Sequence, residues 1–280
     1  MPQFFYYSAS ISSGLLLDDF SDLSAIFSLR LLLTAYTGYC IRVRRSSDNA
    51  ELDIGFVNGV LDTATLLTFC GAGNGYVTIW YDQSGNGNNS VQATATRQPL
   101  IVDSGTLITN NSKPSLKFTS AVGSSLSTGL VQLVNASTGY FTYSGVASVN
   151  ATNADMVLFN HDNLVQLCRQ AGASATFYNL LVVSGTPTAS VASDTNLNIL
   201  SSLTKSSDLK LYLHKNASVT GVSGNTFSTL PAGTSYFRIG HYSNNFYLDG
   251  YVSEFVMIAA ENETARTAIR DNQIAYYGVA

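Results

Sequence analysis

Apolar and polar residues alternate along most of this chain. Between Tyr39 and Arg45, Cys40, Arg42 and Arg44 fall on one face and Ile41 and Val43 on the other, the period-2 pattern of a strand. Short runs rich in Val, Ile, Thr and aromatics recur from residue 115 onward: 115–118, 139–148, 156–159, 164–168, 175–183, 197–203, 208–215, 235–239, 246–248 and 250–259. Turn signals separate them every ~8–12 residues, the rhythm of an all-β sandwich. Helical spacing is confined to three places. Leu23, Ile26, Phe27, Arg30, Leu31 and Thr34 predict a helix over 23–34, capped by Ser21 or Asp22. Asp62 is placed to cap a short helix ending near Phe69. Ala265, Ala268, Ile269, Asn272 and Tyr276 share one face of a helix over 262–277 that Gly278 stops.

One boundary stands out. The apolar run 76–81 ends abruptly in the polar, glycine-spaced loop Asp82-Gln83-Ser84-Gly85-Asn86-Gly87-Asn88-Asn89. Trp80 and Tyr81 point to opposite faces if the run is a strand, so one packs inward while the other can face a ligand. Asp82, Asn86 and Asn88 either satisfy the turn's own backbone or present amides and a carboxylate to a polyhydroxylated ligand. Residues 90–102 continue as an alternating, strand-like stretch.

Composition narrows the function. The chain has 280 residues, enough for one large β domain, and only 11% of them are charged. Its net charge is −4, and Arg42-Val43-Arg44-Arg45 is its only basic run, so nucleic acid is not an expected partner. No run reaches the ~18 apolar residues of a membrane span. The segment Met1 to Tyr7 lacks the pattern of a signal peptide. Cys40, Cys70 and Cys168 are widely spaced, which favours free thiols and leaves a Cys40–Cys70 bridge open. His161, His214 and His241 share no metal-ligand spacing, and Gly71 to Gly75 leads into a strand, unlike a phosphate loop. No cofactor or metal is expected. A calcium ion would need about six oxygen ligands, for which Asp82, Asn86 and Asp249 are the available candidates.

Ala35-Tyr36-Thr37-Gly38, Arg42 to Asp48, Asp53-Ile54-Gly55-Phe56 and Trp80 to Asn88 occur in that order. Together they resemble the catalytic domain of the α-L-arabinofuranosidase B family of glycoside hydrolases, and more closely its non-catalytic relatives in phage virion and tail-fibre proteins. Arg238-Ile239-Gly240, the stretch Phe246 to Phe255 and the closing helix resemble the end of laminin-G/concanavalin-A-like domains. The resemblance implies a concanavalin-A-like jelly-roll sandwich of two antiparallel sheets with short peripheral helices, over residues 18–280, preceded by an aromatic arm over 1–17.

The resemblance also locates where catalytic carboxylates should stand, since glycoside hydrolysis needs two of them. The nucleophile's place follows Leu158-Phe159-Asn160-His161-Asp162 and holds Val165 or Gln166. The acid's place, in the loop 239–245, holds His241 or Tyr242. No catalytic residue is therefore assigned, and Asp162 and Asp249 are the nearest carboxylates that could substitute. The expectation is a non-enzymatic phage virion protein, a head or tail fibre, decoration or receptor-binding module. It would be made in the host cytoplasm, displayed on the virion surface, contact other virion proteins and a host-surface glycan, and form a homo-oligomer. Its candidate ligand residues are Trp80, Tyr81, Asp82, Asn86, Asn88, His241, Tyr242 and Asn244. The alternatives are a glycoside hydrolase of arabinofuranosidase type and a bacterial lectin-like surface module.

Overall fold

The computed structural model describes residues 14–280 apart from 163–164, 172–174, 182–185, 218, 228–232 and 243–245, with backbone only at 165–171 and 219. Two antiparallel layers face each other. In the first, β1 (Leu23–Ser28) pairs with β17 (Gly250–Ile258), followed outward by β8 (Thr142–Val149), β13 (Asn198–Lys205), β14 (Lys210–Lys215) and β15 (Val219–Val222). In the second, β7 (Leu126–Val131) pairs with β16 (Ser235–Ile239), followed by β9 (Met156–His161), β10 (Val165–Ala171), β11 (Thr176–Leu181) and β12 (Thr188–Ala192).

Beside β1, the other half of β17 pairs with β6 (Leu116–Phe118). From there the sheet continues through β5 (Leu100–Asp103), β4 (Gly75–Trp80), β2 (Ile41–Arg45) and β3 (Glu51–Ile54). These connections make the two-sheet jelly-roll sandwich that the strand rhythm predicts.

The layers meet in an aromatic core. Phe255 of β17 lies 4.7 Å, ring to ring, from both Phe159 and Phe237, and Phe27 stacks on Phe237 at 5.9 Å. Gly145 of β8 makes room for this: a Cβ there would come within 2.5 Å of the Phe159 ring. Burying large aromatics at this density is the main source of stability in such a sandwich.

The short helix α1 (Thr63–Cys70) and the closing helix α2 (Glu263–Tyr277) form as expected. Asp62 caps the first by accepting from Thr65 N, Asn262 caps the second by accepting from Ala265 N, and Gly278 ends it at φ +64°. Beneath α2, Glu254 of β17 pairs with Arg30 at 2.8 Å and accepts from Ser28, Gln273 and Tyr277. Burial opposes its charge, but Arg30 and these donors still hold its pKa below the usual value.

Three expectations are corrected. Residues 23–28 form strand β1 and not a helix; five of its six residues are buried, so both faces are covered and the apolar spacing carries no period. The stretch 90–98 keeps only a two-residue strand, Ser90–Val91, before a 3-10 turn at Ala95–Arg97. Residues 246–248 form no strand; Phe246 sits at φ +61°. Cys40 and Cys70 are buried free thiols and form no bridge. Cys168 and residues 1–13 of the expected arm lie outside the described side chains and residues, whereas Leu17 packs fully buried with Ile26, Leu32 and Ile269.

Candidate functional site

The loop after β4 is occupied by its own fold. Trp80 is fully buried, 5.9 Å from Phe27, so its ring offers no face to a ligand. Asp82 Oδ1 accepts from Ile26 N and Ser84 N, both at 2.9 Å, and Oδ2 accepts from the Ser84 hydroxyl and Asn88 N. Asn86 and Asn88 donate their amides to Leu23 O and Ser24 O, both at 2.8 Å. Gln83, which the sequence did not single out as a site residue, accepts from Leu32 N and donates to Ser28 O and Arg30 O. The loop is thus a latch on the free edge of β1, supplying by side chain the partners that an edge strand's backbone lacks. Tyr81 points the other way and donates to Asp53 at 2.6 Å, while Arg42 forks onto the same carboxylate with two bonds of 2.7 Å. Burial, then Asp53, raises the Tyr81 pKa.

The end of the sandwich where β9 meets β16 is different. Asn160 lies opposite Arg238 and His161 opposite Phe237. Phe237 and Ile239 alternate inward, so Arg238 stands on the other face. There its Nε pairs with Asp162, which also accepts from the Asn160 amide, and its Nη1 lies 3.0 Å from His241 Nε2. A guanidinium can only donate, so His241 Nε2 accepts and the ring is neutral with its proton on Nδ1. That Nδ1 is buried and has no partner among the described residues, as is also true of Asn160 Oδ1 and His161 Nδ1. Burial, then Arg238 and Arg97, lowers the His241 pKa to about 4. Burial likewise lowers that of His161.

Gly240 makes the turn into this loop. It sits at φ +86°, and a Cβ would fall 2.6 Å from the Phe118 ring. The chain then places His241 flat against Tyr247, with ring centroids 5.6 Å apart. Tyr247 in turn walls a cavity of about 380 Å³ with Phe246, Met156, Ser120, Asp155 and Asp249. Two carboxylates therefore line one cavity. Asp249 is oriented by Asn150, whose amide donates to its Oδ1 at 3.2 Å, and by its own N–H, which meets Met156 Sδ.

Of the expected ligand residues, the structure brings His241 to this end, with the half-buried Tyr242 next in the chain, and sets Trp80, Asp82, Asn86 and Asn88 on the β1 edge. Asn244 lies outside the described residues, as do the side chains of Val165 and Gln166. Asp82 and Asp249 sit in different loops, and no group of three His, Cys, Asp or Glu among the described residues is placed to hold a metal. The sequence reading missed Arg238, Tyr247 and Asp155. The alternation of β16 turns Arg238 outward, a signal the sequence carries, but only strand pairing shows that Asp162 waits beside it.

A family model described as "Alpha-L-arabinofuranosidase B, catalytic" matches residues 22–168, just over half of the chain. The chain belongs to this family. The probable α-L-arabinofuranosidase B of Aspergillus flavus is 46% identical over 66 residues, 23% of this chain and 13% of that protein. An α-L-arabinofuranosidase of Hypocrea jecorina is 43% identical over 65 residues, again 23% and 13%. The aligned segment thus spans about an eighth of the length of these relatives. Among solved structures, a GH54 arabinofuranosidase soaked with a cyclic sulfate inhibitor superposes with a TM-score of 0.61 at 16% identity, covering 90% of this chain and 62% of that one. An arabinofuranosidase complexed with arabinofuranosyl-α-1,2-xylobiose gives 0.58 at 15%, with the same coverage. These superpositions establish a shared fold. The family model and the curated relatives correct the expected virion role: both are described as arabinofuranosidases, and the alternative drawn from the same motifs is the better supported.

Proposed function

We propose that this chain is a glycoside hydrolase domain of arabinofuranosidase type, acting on terminal α-L-arabinofuranosyl groups in the cavity that holds Asp155 and Asp249. The observation that carries the proposal is the presence of two carboxylates in one cavity, on a fold and in a family whose named members are arabinofuranosidases. One carboxylate must protonate the leaving oxygen while the other attacks the anomeric carbon or activates water. Tyr247 lends an aromatic face for the sugar's C–H patches, and His241 behind it fixes the ring's angle. Asp162 is the weaker candidate, because Arg238 and Asn160 already engage both of its oxygens.

The test is turnover of an aryl α-L-arabinofuranoside by the purified chain. Asp155→Asn and Asp249→Asn should each lower kcat/KM by about 10²–10⁴-fold, and Asp162→Asn should lower it far less. A wild-type protein that binds arabinofuranosides without turnover would overturn the hydrolytic reading. His241 or Tyr242, and Val165 or Gln166, at the places the resemblance reserves for carboxylates favour that outcome. The chain would then be a glycan-binding member of the family.

A further inference from the structure

A second cavity flanks the same 3-10 segment, Ser120–Val122, whose Ser120 lines the first, and opens on the outer face of the sheet formed by β2, β4, β5 and β6. Its volume is about 580 Å³. The strand register builds its floor: Arg44 pairs with Tyr76, Tyr76 with Leu100, and Leu100 with Lys117, one row crossing four strands. Each of these residues alternates with fully buried neighbours, Val43, Val77, Ile101, and Leu116 with Phe118, so the whole row faces outward. The walls are two 3-10 segments, with Ala95 and Thr96 on one side and Thr119, Val122 and Ser124 on the other.

Two cations border this floor, and neither has an ion-pair partner among the described residues. Arg44 is held by neutral acceptors: Gln98 Oε1 and Asn49 Oδ1 at 2.7 Å and Ala95 O at 3.2 Å. Gln98 is itself buried and anchored by donating to Gln92 O. The guanidinium lies over the Tyr76 ring, 4.8 Å from its centroid. Glu51, across the strand pair from Arg44, makes no ion pair with it. The other outward arginine of the strand, Arg42, does have a carboxylate, Asp53. A protein of net charge −4 has thus left two cations uncompensated over one cavity, and fixed one of them with a buried amide.

We propose that this cavity is an accessory subsite for the carboxylate-bearing sugar of an acidic glycan, a uronic acid. A fixed guanidinium and an ammonium suit a carboxylate. The Tyr76 platform, the apolar wall at Val122 and the hydroxyls of Thr96, Thr119 and Ser124 suit the amphipathic body of a sugar ring. The inference rests on the glycan-directed reading of the preceding subsection for the saccharide part of the ligand, and on this cavity's charge for the anionic part.

Calorimetric titration of the whole chain with an oligogalacturonate, its methyl ester and inorganic sulfate tests it. The oligogalacturonate should bind, more weakly as salt is raised, and the neutral ester should bind about tenfold more weakly or worse. Lys117→Gln, which removes no hydrogen bond among the described residues, should weaken the acid about tenfold at an unchanged unfolding midpoint. Arg44→Lys should weaken it while keeping the charge, because the fork and the stack are lost. Equal affinity for acid and ester, or wild-type affinity in Lys117→Gln, would overturn the proposal, as would sulfate matching the oligosaccharide. Aryl arabinofuranoside turnover, measured in parallel, separates the two readings. Turnover without uronate binding refutes this subsite alone, and uronate binding without turnover refutes the hydrolase alone.

Discussion

Two polar loops, one after β4 and one after β16, look alike in sequence, yet the fold uses them in opposite ways. Both combine Gly with Asn, Asp and aromatics. In the first, every polar side chain from Asp82 to Asn88 bonds backbone or a neighbour, and the tryptophan is in the core. In the second, His241 Nδ1, like Asn160 Oδ1 on the neighbouring strand β9, is buried without a partner among the described residues, and Tyr247, stacked on His241, walls a cavity with two carboxylates. A polar group buried without a partner costs about 1–3 kcal/mol, and Trp80 Nε1 beside the first loop is one as well, so the contrast rests on the cavity and its two carboxylates. A dense polar motif is therefore a poor guide to a site unless its hydrogen bonds can be traced.

The contrast can be broken by substitution. Trp80→Ala should have the largest effect, a loss of about 3–5 kcal/mol as for a fully buried large aromatic, read from denaturant unfolding. A loss under about 1 kcal/mol would mean the first loop is not anchored through the core. Asp82→Ala comes next: it strands the N–H groups of Ile26, Ser84 and Asn88 and should cost about 2 kcal/mol or more, with no change in ligand affinity. Asn88→Ala and Asn86→Ala remove one amide bond each to the β1 edge and should cost about 1 kcal/mol or less.

On the other side of the comparison, His241 gives a pH signature. Its folded pKa, about 4, lies below its ordinary value of 6.5. The fold therefore favours the neutral ring, and the stability this contributes is fully present above pH 6.5 and is lost as pH falls through 4. The ring protons of His241 should titrate near pH 4 in an NMR series. A midpoint near the ordinary histidine value would show that the ring is neither buried nor facing Arg238.

Much of the architecture was legible. Alternation marked β2, short runs of strand-forming residues between turns marked β9 and β16, and the cap Asp62 and the stop Gly278 each bounded a helix. β1 was not legible, because a strand covered on both faces has no period, and its Leu23, Ile26 and Phe27 fall by chance at helical spacing. The stretch 90–98 failed for the opposite reason. Its alternation is real, but Gln92 and Gln98 direct their amides to Ser125 O and Gln92 O and hold a turn in place. The loop at His241 could be placed from its motif, whereas its partners could not. Arg238 and Asp162 are 76 positions apart, and Asp155 and Tyr247 are further still, brought together by the pairing of β9 with β16 and by Val157 N donating to Phe246 O. The family motifs pointed to two functions, and the comparisons favour the hydrolase over the virion protein.

The most direct test is a ligand-shift map: backbone and side-chain NMR signals of the wild-type chain followed while an arabinofuranosyl oligosaccharide is added. The account predicts that shifts concentrate at His241, Tyr247, Asp249 and Asp155, while signals from Trp80 to Asn88 stay still. Shifts centred on Trp80, Asp82, Asn86 and Asn88, with His241 and Tyr247 unmoved, would contradict it.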